Sequence, residues 1–497
     1  MNETLSIILT LLPFAVMLVG FLAFKQSALR MSLIVWILEL VVAIAFYKMP
    51  VVDSLKASIW GNIALWTGFL VLWGGQVFGQ CFRTTGALNV MLKALGGILP
   101  SKEGKAISLV SVVGGYVGAF NGFATYPVTI PGLVNLGVSG LRAAAGYLVY
   151  FSWCVSYVSL FIGNSIATAV TGVPIEEIVP TMGIITIPLI IVATLGFFSI
   201  LEFKLSDKNN LAIFIISCVG NILGVVIFTI LLPEMYIMTL LAAATFSLVG
   251  FWLLSKFGRK SAEDAEQKES ISKLNVIKAF IPLAAVVILV ILNNYPLKSL
   301  VAATTFTISL WGEKTSVSLI TAPGFYVVVA AIVCHLLPIK RTSSFWKDVS
   351  VASKRSVPSL VTLMLGGAMV QLMVNTGQIS TLASAIAQWG ASIYGVLLSG
   401  IGFLAGMAFG QGIPACSMFA RMQMSAAEVL AISPAVLIGI STLITMGPAN
   451  PLKPSLILNT SSMAGIKGKD GEMFRIMFKW QMIALIIVAV IAYIILL

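Results

Sequence analysis

Charge is the feature that this sequence has least of. Only 10% of its 497 residues are Asp, Glu, Lys or Arg, whereas soluble domains carry about 25%. Apolar runs of about 20 residues, the length needed to cross the hydrocarbon of a bilayer, recur along the chain. The runs are continuous rather than alternating, which excludes a membrane β-barrel. We therefore expect an all-α polytopic membrane protein embedded in a lipid bilayer.

Histidine is almost absent, and the cysteines are unpaired. His335 is the single histidine, which excludes His-rich metal chemistry. The five cysteines form no Cys-x-x-Cys pair and are typical of apolar fillers: Cys81, Cys154, Cys218, Cys334 and Cys416. No phosphate-binding loop or nucleophile triad is found. We expect no enzyme activity, no metal site and no cofactor.

Basic residues are the charge that is present, with a formal net charge of +12. They gather in short segments between apolar runs, so topology and anionic lipid explain them better than nucleic acid does. The positive-inside rule places residues 81–105, 255–278 and 338–358 in the cytoplasm. This predicts a multi-pass protein of the cell membrane with both termini outside. The first apolar run lacks a cleavage site and is interpreted as a retained span.

Apolar runs predict the membrane spans and a division of the chain. The spans are predicted at 5–24, 31–47, 59–80, 142–162, 178–201, 211–231, 236–254, 276–293, 323–337, 359–375, 428–447 and 473–496. The predicted division is a first repeat (1–205), connecting spans (206–254), a polar cytoplasmic linker (255–275) and a second repeat (276–497).

Two glycine-rich stretches interrupt this pattern, at residues 114–127 and 400–414. Such interruptions in corresponding halves indicate the binding site of a transporter. We predict a re-entrant helical hairpin near 106–135 and another near 396–420. The alternative is one kinked span at each place, since membrane helices tolerate glycine.

The order of features repeats in the two halves. Thr85-Gly86 and Thr376-Gly377 each follow a span and precede a glycine-rich stretch, a span and a second broken segment. Residues 83–105 are basic, whereas residues 376–395 carry no charge. Equivalent segments would then lie on opposite sides of the membrane, as in an inverted-topology repeat. Chance resemblance between glycine-rich segments is the alternative.

Four breaks define the candidate site: both hairpin tips and the segments predicted to unwind at Asn164–Thr168 and Ala449–Ser455. Helix N-termini and freed backbone groups at such breaks suit a carboxylate. The candidate ligands are Asn121, Gly122, Thr125, Tyr126, Asn164, Ser165, Gln411, Ser417, Asn450, Ser455 and Lys453.

Each candidate has an alternative role. The Asn and Ser side chains could cap local backbone groups. Lys453 could pair with an anion, or its stem could lie in the membrane while the ammonium reaches the cytoplasmic surface. Glu39, inside the second span, could bind a proton or have a structural partner.

These residues resemble the lactate permease family. The resemblance is strongest in two blocks. The first is Asn121–Ile130, continued at Gly163–Pro174, and the second is Phe403–Gln423, continued at Pro454–Gly468 and Phe474-Arg475. It implies a cation-coupled carboxylate transporter that moves its substrate by an elevator motion and forms a homodimer. Gly118 stands where the family has Glu, and Gly412 and Cys416 stand where it has Asp and Asn.

The resulting hypothesis is a symporter of a small organic anion, lactate or a related monocarboxylate first. The coupling cation is H⁺ or Na⁺, and sodium held by backbone carbonyls fits the missing acids. The alternatives are a transporter of a dicarboxylate or short-chain fatty acid, and a channel.

Overall fold

Helices dominate the computed structural model, which describes residues 3–22, 24, 26–96, 98–257, 272–294, 297–408, 412–466 and 468–497. Within these residues eight helices are long and apolar enough to cross a membrane. Two further helix pairs, each bent at a short break, raise the number to ten if each pair is one span. The predicted polytopic helical architecture is confirmed.

The first half of the chain contains helices α1 to α11. Their bounds are α1 Glu3–Leu22, α2 Ala28–Ala45, α3 Val51–Ala64, α4 Trp66–Thr84, α5 Ala87–Gly96, α6 Lys102–Ile107, α7 Gly114–Phe120, α8 Gly122–Asn135, α9 Gly140–Phe151, α10 Val158–Thr171 and α11 Ile175–Ile200. A π-helical segment, Ser108–Val113, joins α6 to α7. The predicted span 59–80 is not straight, because α3 and α4 meet at a 50° bend beside Leu65.

Two helices connect the halves, α12 (Lys208–Val225) and α13 (Thr239–Phe257). Asp207 begins α12 by accepting hydrogen bonds from the amides of Asn209 and Asn210, at 2.7 and 3.1 Å. Gly220 and Gly224 let α13 approach closely, because a Cβ at Gly220 would lie 2.6 Å from the Ser247 amide nitrogen. Most of the predicted linker lies outside the described residues.

The second half contains helices α14 to α23 and one β-hairpin. Their bounds are α14 Lys273–Asn294, α15 Lys298–Ala303, β1 Phe306–Leu310, β2 Glu313–Val317, α16 Pro323–Leu336, α17 Phe345–Asn375, α18 Gln378–Ala387, α19 Ala391–Ala408, α20 Gly412–Leu430, α21 Pro434–Met446, α22 Pro454–Met463 and α23 Asp470–Ile495. The antiparallel β-hairpin was not predicted. Its two-residue turn has positive φ at Trp311 (54°) and Gly312 (87°), as a tight hairpin requires.

The same order of elements occurs in both halves. A long helix (α4 or α17) ends at Thr-Gly, with Gly86 at φ 78° and Gly377 at φ 73°. Such a left-handed glycine is a common helix stop. A ten-residue helix follows (α5 or α18), then a helix pair, a broken helix and a helix of 26 residues (α11 or α23). The internal resemblance read from the sequence therefore extends to the order of secondary structure.

Candidate binding site at two broken helices

The first glycine-rich stretch folds as an antiparallel helical hairpin. Asn121 alone leaves the helix, at φ −153° and ψ 101°, and separates α7 from α8. A Cβ at Gly118 would touch Thr125 at 3.4 Å, and one at Gly114 would touch Thr129 at 3.7 Å. Between the two ends of the hairpin, the Lys102 ammonium donates to the Gly137 carbonyl at 3.0 Å. The two arms therefore lie side by side, as in a helical hairpin, and the re-entrant placement of residues 106–135 in the membrane stays a prediction.

The second glycine-rich stretch also forms an antiparallel pair. Near its open end the Tyr394 hydroxyl on α19 donates to Gln423 Oε1 on α20 at 2.8 Å. Residues 409–411 between the arms lie outside the described residues, and so does the predicted ligand Gln411. Ser417 is described and buried in α20, 3% exposed.

The first broken helix breaks earlier than predicted. The axes of α9 and α10 differ by 58°, and residues 152–161 form the break. Ser159, Leu160 and Phe161 have left-handed backbone angles, with φ of 52°, 53° and 61°. The prediction that Asn164–Thr168 unwinds is wrong, because this segment is helical. Asn164 and Ser165 instead lie in the first regular turn after the break.

The second broken helix lies where the sequence predicts it. Helix α21 ends at Met446, a short 3₁₀ helix covers Asn450–Leu452, and α22 begins at Pro454. Prolines within and after the break lack the amide hydrogen that a continuing helix needs. Asn450 is 8% exposed, and Lys453 directly precedes α22.

The two breaks contact each other. Ser156 Oγ donates to the Leu443 carbonyl at 3.4 Å, so a residue of the first break pairs with a carbonyl near the end of α21. A Cβ at Gly447 would lie 3.2 Å from the Ser152 carbonyl oxygen. The Tyr126 side chain on the first hairpin lies near the Asn450 side chain of the second break.

The packing between the halves is crosswise, which means that the broken helix of each half packs on the hairpin of the other half. Helix α10, after the first break, packs on α20 of the second hairpin. Gly163 lies in α10, and a Cβ added there would be 3.3 Å from Cys416 Sγ on α20. Helix α22, after the second break, packs on α8 of the first hairpin. Both hairpins and both breaks therefore enclose one region.

Two buried polar side chains of this region lack hydrogen-bond partners among the described residues. Asn164 is completely buried, and neither atom of its amide has a hydrogen-bond partner within the described part of the chain. The same holds for the hydroxyl of buried Thr442, beside Gly163. An unpaired buried amide costs about 1–3 kcal/mol, so these two groups are candidate hydrogen-bond partners for a bound substrate.

Lys453 supplies the charge of this region. It is 4% exposed, and among the described residues its ammonium has neither an acidic partner nor a hydrogen bond. The alternative in which the side chain reaches solvent is therefore wrong. Because Lys453 precedes α22, the partial positive charge of the helix N-terminus adds to that of the ammonium. The Cys416 thiol interacts electrostatically with this ammonium while lying against Gly163.

Other candidate ligands have local partners. Thr125 Oγ1 donates to the Gly122 carbonyl at 2.6 Å, and Ser165 Oγ donates to the Phe161 carbonyl at 3.1 Å. Both hydroxyls cap backbone groups, which for Ser165 is the alternative role stated from the sequence. Asn121 is buried with its amide against Gly75, and Ser455 is half-buried in the first turn of α22.

Sequence reasoning missed the serines of the first break. Ser159 Oγ accepts a hydrogen bond from the Gly122 amide at 3.2 Å, which ties the hairpin tip to the break. Ser156 makes the contact to α21 described above. Neither serine is adjacent to a glycine or proline, so no local signal marked them.

Glu39 has a partner elsewhere in the bundle. Its carboxylate accepts a hydrogen bond from the Gln378 amide, which also donates to Thr376 Oγ1 at 2.8 Å. Helix α2, which carries Glu39, packs on α1 and α17. The structural alternative for Glu39 is thus supported, while the second carboxylate oxygen has no partner.

Comparisons with known proteins give one consistent result. The model of the L-lactate permease family matches residues 6–497. A Haemophilus influenzae protein assigned as an L-lactate permease is 23% identical over 513 residues, covering 95% of each chain. The L-lactate permease of Streptococcus iniae is 22% identical over 459 residues, which cover 86% of this chain and 92% of that protein. Among solved structures, the Alcanivorax borkumensis YdaH transporter matches with a TM-score of 0.43 at 15% identity, covering 89% of this chain and 88% of that one.

Proposed function

Since this chain belongs to the L-lactate permease family, we propose that it is a secondary active symporter of a small organic anion, with lactate as the first candidate. The family and the apolar helices make it a multi-pass membrane transporter rather than an enzyme. The coupling cation in this proposal is H⁺ or Na⁺. In this proposal the protein lies in the cell membrane as a homodimer, with both termini outside.

The observation that carries the proposal is the buried Lys453 ammonium. Removing an ion from water costs several kcal/mol unless an opposite charge compensates it. No acidic side chain in the described part of the chain compensates Lys453. A substrate carboxylate at this place would supply the missing charge and accept hydrogen bonds from the ammonium.

Neutral donors beside the charge suit the rest of such a substrate. The Asn164 amide can donate to a carboxylate oxygen or accept from a hydroxyl, and the Thr442 hydroxyl can do either. A 2-hydroxy acid offers both groups on adjacent carbons. This match favours lactate over a plain short-chain fatty acid, which offers only the carboxylate.

The crosswise packing supports alternating access by a moving unit. In this proposal the two hairpins and two broken helices move together against the remaining helices, and the halves are inverted repeats. The division at residues 205, 254 and 275 stays a prediction.

Uptake by the purified chain in proteoliposomes tests the function. We expect saturable uptake of labelled L-lactate that rises with an imposed H⁺ or Na⁺ gradient. Unlabelled glycolate should compete better than butyrate or succinate. Absence of L-lactate uptake under either gradient would reject the lactate assignment. Flux that ignores every gradient would indicate a channel.

Replacing Asn164 with Leu tests the site itself. We expect uptake at low lactate concentration to fall about tenfold or more, because a hydrogen bond to a charged group contributes about 1.5–3 kcal/mol. Folding should not suffer, since the Asn164 amide has no partner to lose. The matched control is Asn221→Leu, which removes a bonded amide (2.9 Å to Tyr150) and should lower stability instead. Normal uptake by Asn164→Leu would remove this residue from the site.

A further inference from the structure

A cluster of metal-ligand side chains lies away from the two breaks, where the end of α4 meets α16 and the first turn of α17. Ligand atoms of Cys81, His335 and Asp348 all lie within 4.8 Å of one another. Cys81 and Asp348 are fully buried. The three residues come from three helices, so the cluster exists only in the folded chain.

Asp348 is a buried carboxylate without a cation. It accepts hydrogen bonds from Thr84 Oγ1 at 2.6 Å and from the Gln80 amide at 3.4 Å. No Lys, Arg or His of the described residues lies within ion-pair distance of Asp348. A buried carboxylate normally requires a counter-charge.

The neighbouring guanidinium groups are bonded elsewhere. Arg83 and Arg355 both donate to Gln80 Oε1, at 3.1 and 3.0 Å. Arg341 donates to the His335 carbonyl at 2.8 Å. Arginine therefore does not compensate the carboxylate directly, although the cluster sits in a basic environment.

The other two groups are also available as ligands. Cys81 is a free thiol, and His335 Nδ1 is buried with no hydrogen-bond partner among the residues that the structure describes. Cys334, next in the chain to His335, has its thiol 3.0 Å from Thr85 Oγ1. A thiol, an imidazole and a carboxylate are the ligand types that zinc prefers, whereas Mg²⁺ and Ca²⁺ prefer oxygen alone.

We propose that Cys81, His335 and Asp348 bind a divalent transition metal ion of the Zn²⁺ class, with water in the fourth position. Zinc ligands lie about 2.0–2.3 Å from the ion, so ligand atoms in such a site are roughly 3.5–4 Å apart. The cluster would need to contract by only about 1 Å. Binding releases the Cys81 proton, since the thiolate is the ligand. The ion links α4, α16 and α17, and it is independent of the transported anion.

Cobalt titration of the purified, chelator-treated full chain in detergent tests this site. Co²⁺ should produce a thiolate-to-cobalt charge-transfer absorption that saturates at a single ion per chain, and Zn²⁺ should remove it. The absorption should disappear in Cys81→Ser and persist in the control Cys218→Ser, whose buried thiol lies on α12. No absorption from the wild-type chain, or an undiminished one in Cys81→Ser, would overturn the proposal.

A second variant, His335→Ala, tests the site without replacing a fully buried residue. His335 is only half-buried, so His335→Ala should unfold at the wild-type temperature when no metal is present. Its cobalt affinity should fall on the order of tenfold or more, because one of three protein ligands is lost. Zn²⁺ should raise the unfolding temperature of the wild-type chain and not that of His335→Ala. Equal affinity in both would exclude His335, and with it the site as proposed.

Discussion

The two helix breaks face each other in the structure, but they arise in different ways. The second break, residues 447–453, is built from Gly447 and from prolines that cannot continue a helix. The first break, residues 152–161, contains neither residue type. Its chain turns through three consecutive left-handed residues, an arrangement that costs roughly 1–2 kcal/mol per residue.

Packing holds the first break in place. Phe161 is fully buried, and its ring lies 5.1 Å from the rings of both Tyr157 and Tyr236. Leu160 is 1% exposed. The second break is therefore encoded locally by its glycine and prolines, whereas the first break is imposed by tertiary contacts. The chemistry differs as well, since the second break carries a charge at Lys453 and the first offers the neutral amide of Asn164.

The largest effect should come from the charge. We expect Lys453→Met to lower lactate uptake at low concentration by about ten- to a hundredfold, because a hydrogen bond to a charged group contributes about 1.5–3 kcal/mol. Stability should stay equal or rise, since an uncompensated buried ammonium is removed. Uptake in proteoliposomes and thermal unfolding in detergent measure the two effects.

The matched control for this variant is Lys208→Met, which removes an exposed ammonium at the start of α12 and should change neither quantity. A Lys453→Met protein that transports normally would show that the charged break and the neutral break are equivalent.

The next effect should come from the glycine of the second break. In Gly447→Ala the new Cβ would lie 2.6 Å from the Leu443 oxygen and 3.2 Å from the Ser152 oxygen. Both are backbone atoms that cannot move aside, so we expect a loss of about 1–3 kcal/mol in unfolding free energy. Gly400→Ala is the control, because a Cβ there meets nothing within 4 Å. Equal unfolding temperatures for the two variants would contradict close contact between the breaks.

The smallest effect should come from the first break. Ser159→Ala and Ser159→Gly both lose the hydrogen bond to the Gly122 amide, but only glycine relieves the left-handed backbone. We expect Ser159→Gly to be more stable than Ser159→Ala by about 1 kcal/mol, measured by denaturant unfolding. If the alanine variant is as stable, the first break is not left-handed and resembles the second more closely.

Sequence reasoning located the features that glycine and proline encode. The break at Asn121 lies within the predicted stretch Gly114–Pro127. The 3₁₀ helix of the second break lies within the predicted segment Ala449–Ser455. The break at 152–161 could not be found, because its residues are ordinary membrane-helix residues and its conformation depends on aromatic partners such as Tyr236. The polar residues Asn164 and Ser165 instead suggested a break at their own position, where the structure has a regular helix.

The burial of Lys453 and the metal-ligand cluster could not be predicted, for a similar reason. Beside three prolines and a polar segment, Lys453 fits a residue at the membrane surface, and only its 4% exposure in the folded chain shows that it is enclosed. Cys81 and Asp348 are far apart in the chain, so no spacing pattern joined them. Burial and proximity are properties of the assembled helices.

The crosswise packing has a consequence for how this chain can change over time. Gly163 in the first half is fitted to Cys416 in the second, and Gly447 in the second is fitted to Ser152 in the first. A substitution at one member of such a pair is felt by the other half, so the halves cannot diverge independently. We expect substitutions at these contacts to be accepted in pairs, one in each half.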